Sequence, residues 1–135
     1  MGKDSVPEIG LQQVDAILKY LPLFEKPDFQ FGQWIEPEGQ FPYFSFSLEV
    51  DEFIRMLHRQ NIVIPFDWTS WREEAKRYQT NPQALEMADL LTLRKLLTVH
   101  VRAERFAEGH LASVFESGHI AAILHRLKQI REEMT

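Results

Sequence analysis

From Ser47 onward, apolar side chains recur three and four residues apart, and each run is bracketed by residues that start or stop helices. That pattern belongs to amphipathic helices packing on one another, and it leaves little of the chain for a sheet. Phe46, Val50, Phe53, Ile54 and Leu57 form one stripe, which predicts a helix from about Ser47 to Arg59. His58 sits at its flank and is read as a boundary residue. After "FDW" a second start is expected, with Ser70 and Glu73 at capping-box spacing and Asp67 or Thr69 as alternative caps. "NPQALEM" offers Asn81 as a cap and Pro82 at the first helical position, predicting one or two turns. A long helix follows from about Leu90 to Ala107, capped by Asp89 and stopped by Gly109. A shorter one covers 110–116, and after Gly118 the last runs over 119–131. Its apolar face is Ile120, Ile123, Leu124, Leu127 and Ile130. Short gaps between these last helices favour antiparallel or steeply angled neighbours.

Upstream, Ser5 and Glu8 show capping-box spacing ahead of Leu11, Val14, Ile17, Leu18 and Leu21. A first helix is expected to start near Ser5 and to end or kink at Pro22. Residues 24–46 are of another kind. Three prolines and two glycines interrupt regular structure there, yet the segment holds Phe24, Phe29, Phe31, Trp34, Phe41, Tyr43, Phe44 and Phe46. "FQFGQWI" alternates like a strand, and a hairpin across "EPEGQ" is consistent with it. A solvated linker is not this aromatic, so the segment is expected to wrap the helices and bury its rings. The alternative is a pocket wall. "NIVIPFDW", stopped by Pro65, is expected to be extended. The fold class that follows is mainly α: a single helical domain over 1–135, an irregular bundle of five to six helices. An aromatic-rich loop or short β-hairpin lies near residues 29–44.

Composition narrows the function classes. The 135 residues fit one domain. There is no cysteine, which excludes disulfides, thiolate zinc sites and cysteine nucleophiles and fits a reducing cytoplasm. "MGKDSVPEIG" lacks an apolar signal core, and no apolar run approaches the roughly 20 residues that span a bilayer, so no membrane partner is expected. The net charge of −5 argues against nucleic acid. Residues 1–87 carry eight basic against fourteen acidic side chains, and 88–135 carry seven against six, so the two parts attract each other within one fold.

The long helix holds the candidate site. On a helical wheel Leu90, Leu93, Leu96, Leu97, Val101, Ala103 and Ala107 share a side, with His100, Glu104 and Glu108 among them. A buried carboxylate needs a partner, so Glu104 is expected to be satisfied by His100 or by an arginine or tyrosine from another element. Arg94, Lys95, Arg102 and Arg105 fall on the opposite side and are expected to meet acids of the first two-thirds of the chain, or solvent. Read functionally, imidazole and carboxylates one turn apart suit a divalent ion or acid–base work, and the arginines suit an anion. Read structurally, they are a buried network and a solvated face, and that reading is preferred. No HExxH or Glu-x-x-His pattern, phosphate loop or GxSxG elbow is present. His58, His110, His119 and His125 show no face matching that of His100. No metal and no cofactor are expected.

"YLPLFEKPDF", "FGQWI", "FPYFSF", "FDW", "VRAERFAEG" and "ESGHIAAILHRL" together resemble a domain-of-unknown-function family (family number 6508) of short bacterial and archaeal proteins. The likeness spans about Leu18 to Leu127, and "RAERFAEG" is its most specific part. It implies that Arg102, Glu104, Arg105, Phe106 and Gly109 belong to a family motif, and it assigns no activity to them. From the residues themselves, Phe106 packs, Gly109 stops the helix, and Glu104 with the arginines forms a polar lock between helices. The leading expectation is a non-enzymatic cytoplasmic domain that binds a protein partner or itself. The alternative is a small-molecule or metal-dependent enzyme. Its cleft would lie between the aromatic segment and the 90–108 helix, lined by Trp34, Tyr43, Asp67, Trp68 and His100.

Overall fold

A computed structural model describes residues 6–134, so the Ser5 cap lies outside the described residues. In chain order the elements are α1 (Leu11–Leu18), α2 (Leu21–Phe24), β1 (Gly32–Ile35), β2 (Tyr43–Phe46), α3 (Leu48–Arg59) and α4 (Arg72–Thr80). They are followed by α5 (Pro82–Glu86), α6 (Leu90–Ala103), α7 (His110–Glu116) and α8 (His119–Glu133). The fold is mainly α with one two-stranded antiparallel hairpin. Among the described residues no helix is long and apolar enough to cross a membrane.

Local chemistry accounts for most boundaries. Ser47, Asn81 and Asp89 cap α3, α5 and α6, each side-chain oxygen accepting from amides at the helix start. α1 begins at Leu11 rather than near Ser5, and the Gln13 side chain accepts from the Gly10 amide. Pro22, which cannot continue a helix from Leu18, sits in the first turn of the short α2 instead, so the chain turns a corner there. The hairpin pairs Gly32 with Phe46 and Ile35 with Tyr43. Residues 61–66 are irregular rather than a strand, and Asn61 takes a left-handed φ of 61°.

α8 is the spine, touching α1, α2, α5, α6 and α7. Its buried Ile120, Ile123, Leu124 and Leu127 join Val14, Ile17, Phe53, Leu57, Leu93, Leu96 and Leu97 in one core. Arg131 clasps Asp15 through two hydrogen bonds of 2.9 and 3.2 Å, and Tyr20 donates to Glu52 at 2.8 Å. Phe24, Phe29, Phe31, Phe44 and Phe46 of the aromatic segment pack inward, whereas Phe41 is 92 % exposed.

Two expectations for the long helix do not hold. α6 ends at Ala103, four residues early, and 104–109 form tight turns. The wheel therefore places nothing beyond Ala103. Nor does its basic side form ion pairs among the described residues, although Arg105 faces solvent as the alternative had it. Arg94 is buried and donates to the Asn61 carbonyl. Lys95 lies over the Phe66 and Trp71 rings. The cause is the crossing of residues 61–66 over that side of α6, fixed where the Ile64 amide donates to the Thr98 hydroxyl at 3.0 Å. A wheel drawn for one helix cannot show such a crossing segment.

Candidate functional site

The end of α6 and the turn after it carry the motif residues. Glu104, half-buried, reaches forward along its own chain: its Oε1 accepts from the Leu111 amide at 2.8 Å and its Oε2 from the Gly109 amide at 3.3 Å. These are backbone donors at the start of α7, not the histidine or arginine that the wheel suggested. Glu108 accepts from the Phe44 amide at 3.1 Å and so ties the hairpin to the same turn. Gly109 has φ +93°, a left-handed value that favours glycine. A Cβ there would stand 2.8 Å from Cζ2 of Trp34, so the indole occupies the space a side chain would need. Phe106 does not enter the core. It is 80 % exposed and leans on Trp68 with ring centroids 5.9 Å apart.

The Trp68–Phe106 pair is a wall with a cavity on each side. On one side, a pocket of about 530 Å³ opens between α4 and the α6–α7 corner. Val99, Ala75, Ala103 and Ala107 narrow it, and Arg72 and Lys76 line it as well. Its lining contains no carboxylate. His100 and His110 complete it. On the other side, an open groove runs between Ile64, Pro65 and Phe66 and the two arginines Arg102 and Arg105.

Three histidines from three helices meet beside the pocket: His100 and His110 line it, and His119 packs on His100 outside its lining. His100 is 1 % exposed, and its Nδ1 lies 3.1 Å from Nε2 of His110. His119, also buried, meets the His100 ring edge-on at 5.3 Å. Nε2 of His100 and Nε2 of His119 are buried without a hydrogen-bond partner among the described residues. Burial pushes the His100 imidazole down to about 3, with His119 and His110 adding to the effect. Burial alone takes His119 down to about 4. His110 is lowered by burial, against a smaller opposing pull from Glu104. All three are neutral at pH 7, so each ring offers one donor and one acceptor. Burial and then the charges of Arg102 and Arg105 lower His58, which lies outside the groove's lining.

Of the five residues expected to line a cleft, the structure brings Trp68 and His100 to one pocket. Trp34 and Tyr43 stay on the hairpin, about half exposed. Asp67 accepts from the Ser70 and Thr69 hydroxyls at 2.7 and 2.9 Å, which holds its carboxyl below the usual carboxylate range and braces the 3-10 turn Thr69–Trp71. The cavity therefore lies between α4 and α6, not between the aromatic segment and α6. Among the described residues no group of three His, Asp or Glu side chains is placed to hold a metal ion. The pairing of His100 with His110 and His119 is what the sequence reading missed. One signal was there: "EGH" and "SGH" each put a histidine directly after a left-handed glycine, at the first position of α7 and of α8.

Fold and site define a small, mainly helical domain in which a histidine-bearing pocket and a basic, aromatic groove share one wall. The chain belongs to a family of unknown function (DUF6508), whose model matches residues 9–133. No curated protein matches the chain, and no solved structure does.

Proposed function

We propose that this protein is a self-associating interaction module in which the groove of one copy receives the hairpin loop of another. One observation carries this reading. The two most exposed aromatic side chains among the described residues, Phe41 and Phe106, sit in oppositely charged settings. Phe41 projects from the loop "EPEGQFP" beside exposed Glu36 and Glu38. Phe106 borders the groove with Arg102 and Arg105, and neither arginine forms an ion pair among the described residues. An aromatic anchor entering an apolar groove, rimmed by opposite charges, has the anatomy of a docking contact. The cysteine-free composition supports a reducing compartment, the cytoplasm, as the setting.

Light-scattering mass across protein concentration and salt tests it. Wild type should exceed the monomer mass at low salt and fall toward it as salt screens the contact. Phe41→Ser and Arg105→Glu should each remain monomeric, and the charge swap Glu38→Arg with Arg105→Glu should associate again. A monomer under every condition overturns the reading. A monomer that nevertheless binds an acidic aromatic peptide gives the groove to a different chain.

A further inference from the structure

The pocket on the other side of the Trp68–Phe106 wall shares those rings with the groove but has polar and small residues of its own. Arg72 and Lys76 are its two basic side chains, and among the described residues Lys76 forms a solvent-exposed ion pair with Glu73 at 3.3 Å whereas Arg72 forms none. With no carboxylate in the lining, the pocket selects for negative charge. Its walls select for shape. Two aromatic rings on one side and Ala75, Val99 and Ala103 leave a slot suited to a flat apolar body rather than a branched one.

The histidines decide which way round such a molecule lies. A protonated imidazole pair would compete with Arg72 and Lys76 for the anionic end. These rings are neutral at pH 7, so they offer hydrogen bonds without charge. Whichever tautomer joins His100 to His110, Nε2 of His100 is left as a buried donor or acceptor without a partner. Leaving such a group unmet is costly. That nitrogen is shielded among the helices, so the hydrogen-bonding edge nearest the pocket is that of His110, whose ring the His100 contact fixes.

We propose that this pocket binds a planar aromatic carboxylate, with its ring against Trp68 and Phe106, its carboxylate at Arg72 and Lys76, and a polar edge toward His110 and His100. The ligand class follows from three separate features: cations without lining acids, an aromatic slot, and an uncharged hydrogen-bonding pair.

The test uses the full chain with naphthoate and its uncharged analogue naphthylmethanol, titrated while the indole N–H of Trp68 and the histidine ring signals are followed by NMR. Naphthoate should shift those signals saturably, and the alcohol should bind about tenfold more weakly, the value of one charge-assisted contact. Arg72→Gln should cost naphthoate a similar factor and leave the alcohol unchanged. Ala107→Trp plugs the mouth from an exposed position and should abolish both while leaving the melting temperature alone. Phe41→Ser, which affects only association, should bind naphthoate as wild type does. Equal affinity for the two probes, binding that survives Ala107→Trp, or no saturable shift with naphthoate overturns the proposal.

Discussion

Around Phe24 the interior is a mesh of rings. Phe53 and Phe115 meet it edge-on at 5.0 and 5.2 Å, and Tyr20, Phe29 and Phe31 lie 5.7 to 6.1 Å away. Around His100 the interior holds three imidazoles, keeps two ring nitrogens without a partner among the described residues and adjoins a pocket. Helices of the same bundle build both regions, since Phe115 lies on α7 and so does His110. The first region is filled by apolar surface, which any sufficiently aromatic segment can supply. The second depends on the meeting of three particular side chains. A bundle can thus spend one end on stability and leave the other end shaped for a ligand.

Truncation should separate the two most sharply. Phe24→Ala removes a ring with several aromatic neighbours and should cost about 3–5 kcal/mol, read as a lower urea midpoint at unchanged slope. Ala107→Trp, at the open end, should stay within about 0.5 kcal/mol of wild type. Similar losses for both would erase the distinction.

Acid should act on the polar end first. The folded His100 and His119 hold their protons off until about 3 and about 4, whereas the unfolded chain takes them up near 6.5. Below about pH 6.5 the unfolded state therefore binds more protons. The contribution is fully present above that pH and is lost as pH falls toward the folded values, by about a kcal/mol per pH unit for each ring. Asp15, Asp67 and Asp89, whose carboxyls are lowered by hydrogen bonds, add their loss only below the ordinary carboxylate range. Urea unfolding at pH 7 and about pH 5 measures the slope, and His119→Gln should remove roughly half of it. A flat response between those values would mean that the rings are solvated when folded.

The smallest of the three effects concerns the turn that joins the regions. Glu104→Leu strands the Gly109 and Leu111 amides and should cost about 1–3 kcal/mol. Glu104→Gln keeps one acceptor oxygen and should cost less. Equal melting temperatures, with unchanged hydrogen exchange at Leu111, would show that the carboxylate ties nothing down.

What the sequence made legible follows the same division. Caps and stripes act over three or four residues, so Ser47, Asn81, Asp89 and the apolar faces of α3 and α8 could be read directly. The hairpin was readable from its alternation and from the turn residues between its strands. The early end of α6 was not, because a carboxylate that turns forward to cap the next helix looks on a wheel like one facing a core. Arg94 was misplaced because its cover comes from residues 61–66, far along the chain. The histidine cluster needed three helix orientations at once, and no single periodicity contains them.

Gly109 has a practical consequence for anyone who rebuilds this chain. A single carbon added there would push the indole of Trp34 from its seat and loosen a hairpin that lies far upstream. In shuffling or grafting with a homologue, residues 32–46 and 104–111 belong in the same cassette, because either one installed without its counterpart meets the wrong surface.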